Sequence, residues 1–216
     1  MFLTLVVRFL KRKYTLFLSL VFIVLIAFSI LFYRDPERVP PIEEGIIISP
    51  ADGKVISIDT LRGNEIPFTI KNGNKIFLPE LTGIVEGNYT VVSIFMNVFD
   101  VHVNRSPVSG QIEEIIYIDG GHSPAFGNVL TENERNIVVI DGEKRIVIVQ
   151  IAGTIARRID CYVSEDQSVN IGDKIGKIKL GSQVVVMYPS DYLTIVKIDD
   201  KVKAGETIIA ETKIIE

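Results

Sequence analysis

A mainly β domain behind one amino-terminal hydrophobic helix is the fold class that the sequence predicts, on three observations. Residues 14–33, YTLFLSLVFIVLIAFSILFY, run without a charge. A polar, proline-rich stretch, RDPERVPPIEEG at 34–45, follows. Beyond it come short Val- and Ile-rich runs separated by Gly, Asn, Asp and Pro, with little helical periodicity over ten or more residues.

Taken in chain order, the uncharged stretch comes first. About 20 apolar residues are what a helix needs to cross the hydrocarbon core, so 14–33 reads as the membrane segment of an anchor at 1–33. It is apolar on every face, which argues against a core helix. Bulky Ile30, Leu31, Phe32 and Tyr33 lead straight into Arg34, which argues against a cleaved secretory signal. Arg8, Lys11, Arg12 and Lys13 precede the segment while Arg34 and Arg38 follow it, a balance that favours a cytoplasmic amino terminus. A spanning helix would then put the rest of the chain outside, and an interfacial or re-entrant one would keep it at the cytoplasmic face; both stay open.

Pro36, Pro40 and Pro41 end the helix and open a single domain at 34–216. GIIIS at 45–49, KVISI at 54–58, TVVSIF at 90–95, IEEIIYI at 112–118, NIVVI at 136–140, RIVIVQIAG at 145–153 and QVVVMY at 183–188 are the expected strands, with one short helix at most. VNIGDKIGKI at 169–178 and VKAGETIIAE at 202–211 share V-x-x-G-[DE]-x-I. This repeated turn–strand unit resembles the hairpin unit of lipoyl- and biotinyl-type barrel-sandwich domains, where a glycine lets the chain reverse. The modifiable lysine such carriers present between two units is replaced here by Leu180, Gly181 and Ser182.

Composition narrows the function. A net charge of −4 over 216 residues offers no excess of positive charge for a phosphate backbone, so nucleic acid is not an expected partner. One cysteine, Cys161, makes neither a disulfide framework nor a thiolate metal site, and two histidines, His102 and His122, come without H-E-x-x-H spacing; no metal is expected. His122 lies in a glycine-rich loop, DGGHSPAFGN, and reads as solvated.

Gly181-Ser182 is the one Gly-Ser dipeptide in the chain, and taken alone it reads as a turn. Its surroundings argue otherwise, because GKIKL feeds into it and QVVVMYP leaves it, both with strong β propensity. A serine hydroxyl beside a glycyl carbonyl can attack it, with no Cβ in the way, to give an ester. Elimination from that ester and hydrolysis leave a pyruvoyl group and ammonia. Its ketone can form a Schiff base with a substrate amine and accept electrons as carbon dioxide leaves.

Seven stretches carry a family resemblance: FYRDPERVPP at 32–41, SPADGKV at 49–55, DVHVNRSPVSG at 100–110, NERN at 133–136, QIAGTIARRI at 150–159, GDKIGKIKLGSQVVVMYP at 172–189 and VKAGETIIA at 202–210. In that order they resemble the short, self-cleaving phosphatidylserine decarboxylases and their archaeal relatives acting on archaetidylserine. The resemblance implies a self-made pyruvoyl cofactor from Ser182, with cleavage after Gly181 into 1–181 and 182–216, which stay together as a heterodimer. It implies a phospholipid substrate, loss of carbon dioxide from its serine headgroup, and a cell-membrane location with the catalytic domain on the cytoplasmic face. Oligomers beyond that pair stay open.

Residue by residue, the resemblance makes Asp52 the aspartate of self-cleavage, where a bare reading would see an Asp-Gly turn. It assigns His102 to proton transfer, where a lone histidine would otherwise be structural; alternation puts Asp100, His102 and Asn104 on one strand face. The long bacterial relatives carry a second histidine three positions on, and this chain has Arg105 there. Arg105, Arg157 and Arg158 are candidates for the phosphodiester or the serine carboxylate, which guanidinium groups bind bidentately, with surface ion pairs the alternative. Two rival functions remain: a non-enzymatic membrane-anchored adaptor with an inert Gly-Ser turn, and a hydrolase using Ser182, although G-x-S-x-G is absent.

Overall fold

The computed structural model describes residues 2–63, 65–71, 74–120, 134–153, 158–179 and 182–213, in two compact units, 1–35 and 36–216. In the first, Phe2–Phe32 form one helix, α1. It begins a dozen residues before the uncharged stretch, because Arg8 and Lys11–Lys13 are good helix formers and break nothing. Its 31 residues span about 46 Å at 1.5 Å each. Lys11–Phe32 is long and apolar enough to cross a membrane, and its side chains are mostly exposed. The helix ends at Phe32, and Pro36, which pushes Asp35 out of the α region, keeps it from resuming.

The second unit is built of antiparallel strands: β1 Ile46–Ile48, β2 Gly53–Leu61, β3 Phe68–Lys71, β4 Asn74–Phe77, β5 Tyr89–Met96, β6 Val103–Arg105, β7 Gly110–Ile118 and β8 Arg135–Asp141. They continue as β9 Arg145–Ile151, β10 Arg158–Cys161, β11 Ser168–Val169, β12 Lys174–Lys179, β13 Ser182–Pro189, β14 Tyr192–Thr194, β15 Lys201–Val202 and β16 Ile208–Thr212. All seven expected strands are present. The helix in this unit, among the described residues, is a single 3-10 turn at Pro79–Leu81.

An eight-stranded sheet runs β11-β7-β8-β9-β13-β5-β2-β15, flanked by three-stranded sheets β10-β12-β6 and β1-β16-β14 and a β3-β4 hairpin. The large sheet is buried on both faces: Val184, Val186 and Tyr188 of β13 enter one apolar cluster, Val185 and Met187 the other. That is why TVVSIF and QVVVMY read as continuous apolar runs with little alternation.

The repeated unit is present twice, with Gly172 at φ +86° and Gly205 at φ +77°. It turns a corner between sheets where a hairpin was expected. β11 pairs with β7 and β12 with β6 and β10; β15 pairs with β2 and β16 with β1 and β14. The two corners are related by an approximate twofold with its own sequence trace, Ser49-Pro50-x-x-Gly53 and Ser106-Pro107-x-x-Gly110. Ile48 N donates to Pro107 O and Arg105 N to Pro50 O, both at 3.0 Å; Gly205 N donates to Ser49 O and Gly172 N to Ser106 O, both at 2.9 Å. A Cβ at Gly53 would lie 2.3 Å from the Phe95 carbonyl and one at Gly110 2.5 Å from that of Asp141, so both positions need glycine for close approach of two backbones.

Candidate active site

β12 ends at Lys179 and β13 begins at Ser182, so the Gly-Ser word lies where the chain passes from a small sheet into the large one. Gly181 lies outside the described residues, as do Arg157 and His122. Ser182 stands opposite Met96 of β5, and Gln183 opposite both Phe95 of β5 and Ile151 of β9. The Val-rich run behind them makes β13 a central strand, which fixes the start of the strand in register.

His102 is fully buried. Its carbonyl accepts from Ile178 N at 3.2 Å, four residues before Ser182, so the fold brings the histidine and the Gly-Ser junction to the same end of β12. Its Nδ1 lies 2.9 Å from the Asp100 carbonyl. A carbonyl only accepts, so Nδ1 carries the proton and Nε2 is the basic nitrogen of the neutral ring. Arg158, exposed, opens β10 opposite Lys179.

Asp52 and Arg105 serve a different cluster. Arg38 Nη2 reaches the Asp52 carboxylate at 3.0 and 3.3 Å, and Ala204 N donates to Asp52 Oδ1 at 2.8 Å. Arg38 Nη1 also meets Glu206 at 3.1 Å. Burial raises the Glu206 carboxyl, but the Arg38 hydrogen bond and charge outweigh it and hold the group below its ordinary range. Across the twofold, Ser109 caps Ile171 N at 2.9 Å as Asp52 caps Ala204 N, so Asp52 has a structural counterpart without charge. Its carboxylate is taken up by Arg38 and Ala204, leaving the Asp100 carbonyl to orient His102. Asp52 immediately precedes β2 and Ser182 opens β13, the two strands that flank β5, which puts them about 10 Å apart at the backbone.

Arg105 is buried, with Nη1 on the Gly172 carbonyl at 2.9 Å and Nη2 on that of Pro36 at 3.1 Å. It stands opposite Lys174, at the end of β12 remote from the junction and roughly 17 Å of strand from Lys179. The guanidinium expected at a substrate anion instead ties down two turns.

A buried amide chain lies beside the junction. Asn136 Nδ2 donates to Gln150 Oε1 at 2.8 Å, Gln150 Nε2 to Asn104 Oδ1 at 2.7 Å, and Asn104 Nδ2 approaches Met96 Sδ at 3.8 Å. Gly176 makes room for it, since a Cβ there would be 2.9 Å from Gln150 Nε2. Sequence reasoning passed over this chain and Gln183; the signal was a glutamine breaking each of the runs RIVIVQI and QVVVMY.

Exchanging Asp52 for asparagine should cost about 2 to 3 kcal/mol in urea unfolding, less than the roughly 3 to 5 of breaking a buried pair outright, because Glu206 still faces Arg38. An unchanged urea midpoint would show that the pair contributes nothing.

A family model described as phosphatidylserine decarboxylase matches residues 25–210. The chain is 46% identical over 200 residues to a putative archaetidylserine decarboxylase proenzyme of Methanocaldococcus jannaschii, covering 92% of this chain and 96% of that one. It is 42% identical over 190 residues to the protein of the same name from Methanothermobacter thermautotrophicus, covering 86% and 81%. It is 38% identical over 197 residues to the phosphatidylserine decarboxylase proenzyme of Desulfotalea psychrophila, covering 90% and 84%.

Proposed function

Because the chain belongs to the phosphatidylserine decarboxylase family, we propose that it is a membrane-anchored proenzyme. Cutting itself between Gly181 and Ser182, it then removes carbon dioxide from the serine headgroup of a phospholipid to leave an ethanolamine headgroup. The observation that carries this reading is His102, buried and bonded to β12 four residues ahead of Ser182 with its Nδ1 held by Asp100.

The cut balances without an external reagent other than water. The Ser182 hydroxyl attacks the Gly181 carbonyl, its proton passes to the departing nitrogen, and the peptide C–N bond gives way to an ester. Elimination across the Ser182 Cα–Cβ bond releases Gly181 as a carboxylate and leaves a dehydroalanyl end. Water then adds at Cα and ammonia departs, so Gln183 carries a pyruvoyl group. The residues suit that group: Ser182 is placed at the first position of a central strand, and Gln183, which would bear it, is fully buried.

Once formed, the pyruvoyl group supplies the electron sink for breaking the bond to the substrate carboxylate. His102 takes up a proton from water at its basic Nε2 and, as the imidazolium held by Asp100 at Nδ1, delivers it to the carbon that has lost carbon dioxide. Arg158, at the open edge beside Lys179, binds an anionic part of the headgroup. Asp52 aids the cut by holding its β2 corner on Arg38. α1 keeps the domain at the surface where its substrate lies, on the cytoplasmic face, which raises the effective concentration of each for the other.

Purified full-length protein mixed with vesicles carrying phosphatidylserine or archaetidylserine should release carbon dioxide and leave the ethanolamine lipid. No release from either lipid by a chain shown to be cut would end this reading.

A further inference from the structure

Gln183, the residue that would bear the new chain end, is fully buried, on the strand parity of Val185. Val185 and the residue opposite Gln183, Ile151, lie together in one apolar cluster. Its amide is out of place there unless bonded. Nε2 donates to Thr69 Oγ1 at 2.8 Å and to the Ile70 carbonyl at 2.9 Å, and the Thr69 hydroxyl lies 2.7 Å from that of Ser93 on β5. Oε1 is buried and, among the described residues, has no hydrogen-bond partner. An apolar side chain of the same length would avoid that orphan, so packing alone does not account for a glutamine.

The register shows what the amide secures. Ser182 pairs with β5 alone, whereas Gln183 is the first residue of β13 paired on both sides, with Phe95 and with Ile151. Before cleavage the strand start is tethered through Gly181. Afterwards residue 182 is a chain end paired on one side, and strand ends open locally at little cost in free energy. Resting on the self-cleavage reading, we propose that Gln183 is a positioning residue. It anchors the end of β13 to β3 and so holds the pyruvoyl group still once the covalent tether has gone. It is dispensable for the cut and needed for turnover.

The split between those two steps is the test. Gln183→Met in the full chain should cut with a half-time within about threefold of wild type, by intact mass. It should release carbon dioxide from serine-lipid vesicles with kcat per cut chain down about tenfold or more and KM within about twofold, as expected when a reacting group loses its fixed position. Thr69→Val, which removes one acceptor and leaves the Ile70 carbonyl, should show the same split more weakly. Amide exchange at 183–186 should be faster in cut Gln183→Met than in cut wild type. In an uncut Ser182→Ala background the same substitution should leave it unchanged. Equal kcat per cut chain for wild type and Gln183→Met, or parallel loss of cutting and turnover in both variants, would overturn the proposal. A wild-type chain that stays whole would remove the cleavage reading itself, and this inference with it.

Discussion

Ser182→Ala should leave the chain whole at 216 residues and without decarboxylase activity, while wild type resolves under denaturing conditions into 1–181 and 182–216. Alanine has no hydroxyl to attack the Gly181 carbonyl, so no ester forms from which elimination could leave the dehydroalanyl end that becomes the pyruvoyl group, and both steps fail together. The small wild-type fragment should be blocked at its amino terminus and lighter by one ammonia than a simply hydrolysed one. Under native conditions the two fragments should stay together. β13 is paired with β5 over eight residues and with β9 over five, and β14, β15 and β16 add pairings with β1, β2 and one another. Separating them means drawing a central strand out of a sheet buried on both faces. A Ser182→Ala chain that still decarboxylates the lipid would refute the pyruvoyl mechanism, and a wild-type chain that stays whole with its lipids present would refute it and promote the inert adaptor.

His102→Asn should lower kcat per cut chain by about 10²- to 10⁴-fold, the range that a positioned proton donor supplies. Asparagine can keep the bond to the Asp100 carbonyl through its own amide and is close in shape, so the loss reports the missing basic nitrogen at Nε2 more than a disturbed fold. Measuring the cut fraction in the same sample separates the steps: loss of turnover alone places His102 at proton delivery, and loss of cutting as well places it at both. Turnover within twofold of wild type would exclude it from the chemistry.

These effects depend on positions that differ in how far the chain itself reveals them. The apolar helix and the seven strand runs were legible because they rest on local properties: twenty uncharged positions in one place, β-branched residues between turn formers in the others. Gly181 and Ser182 stood out as candidates for chemistry because a hydroxyl beside a Cβ-free carbonyl is a property of two adjacent residues. The repeated glycine word was legible too, but its meaning was not. Whether a turn closes a hairpin or passes between sheets depends on which distant strands pair, and the corner strands pair with partners elsewhere in the chain.

The rest was decided by tertiary structure for the same reason. Asp52 finds Ala204 across 152 positions, Arg105 finds the Gly172 carbonyl across 67, and Gln183 finds Thr69 across 114. No local pattern carries such pairings, because a charged or amide side chain takes whichever buried partner the sheet register brings to it, and register is set by the burial of whole strand faces. By itself the sequence determined a β domain behind an apolar helix and where a backbone could cut itself. Only the folded chain decided that His102 meets β12 four residues ahead of Ser182, that Arg105 lies at the other end of that strand, and that a buried glutamine grips the strand the cut would leave loose.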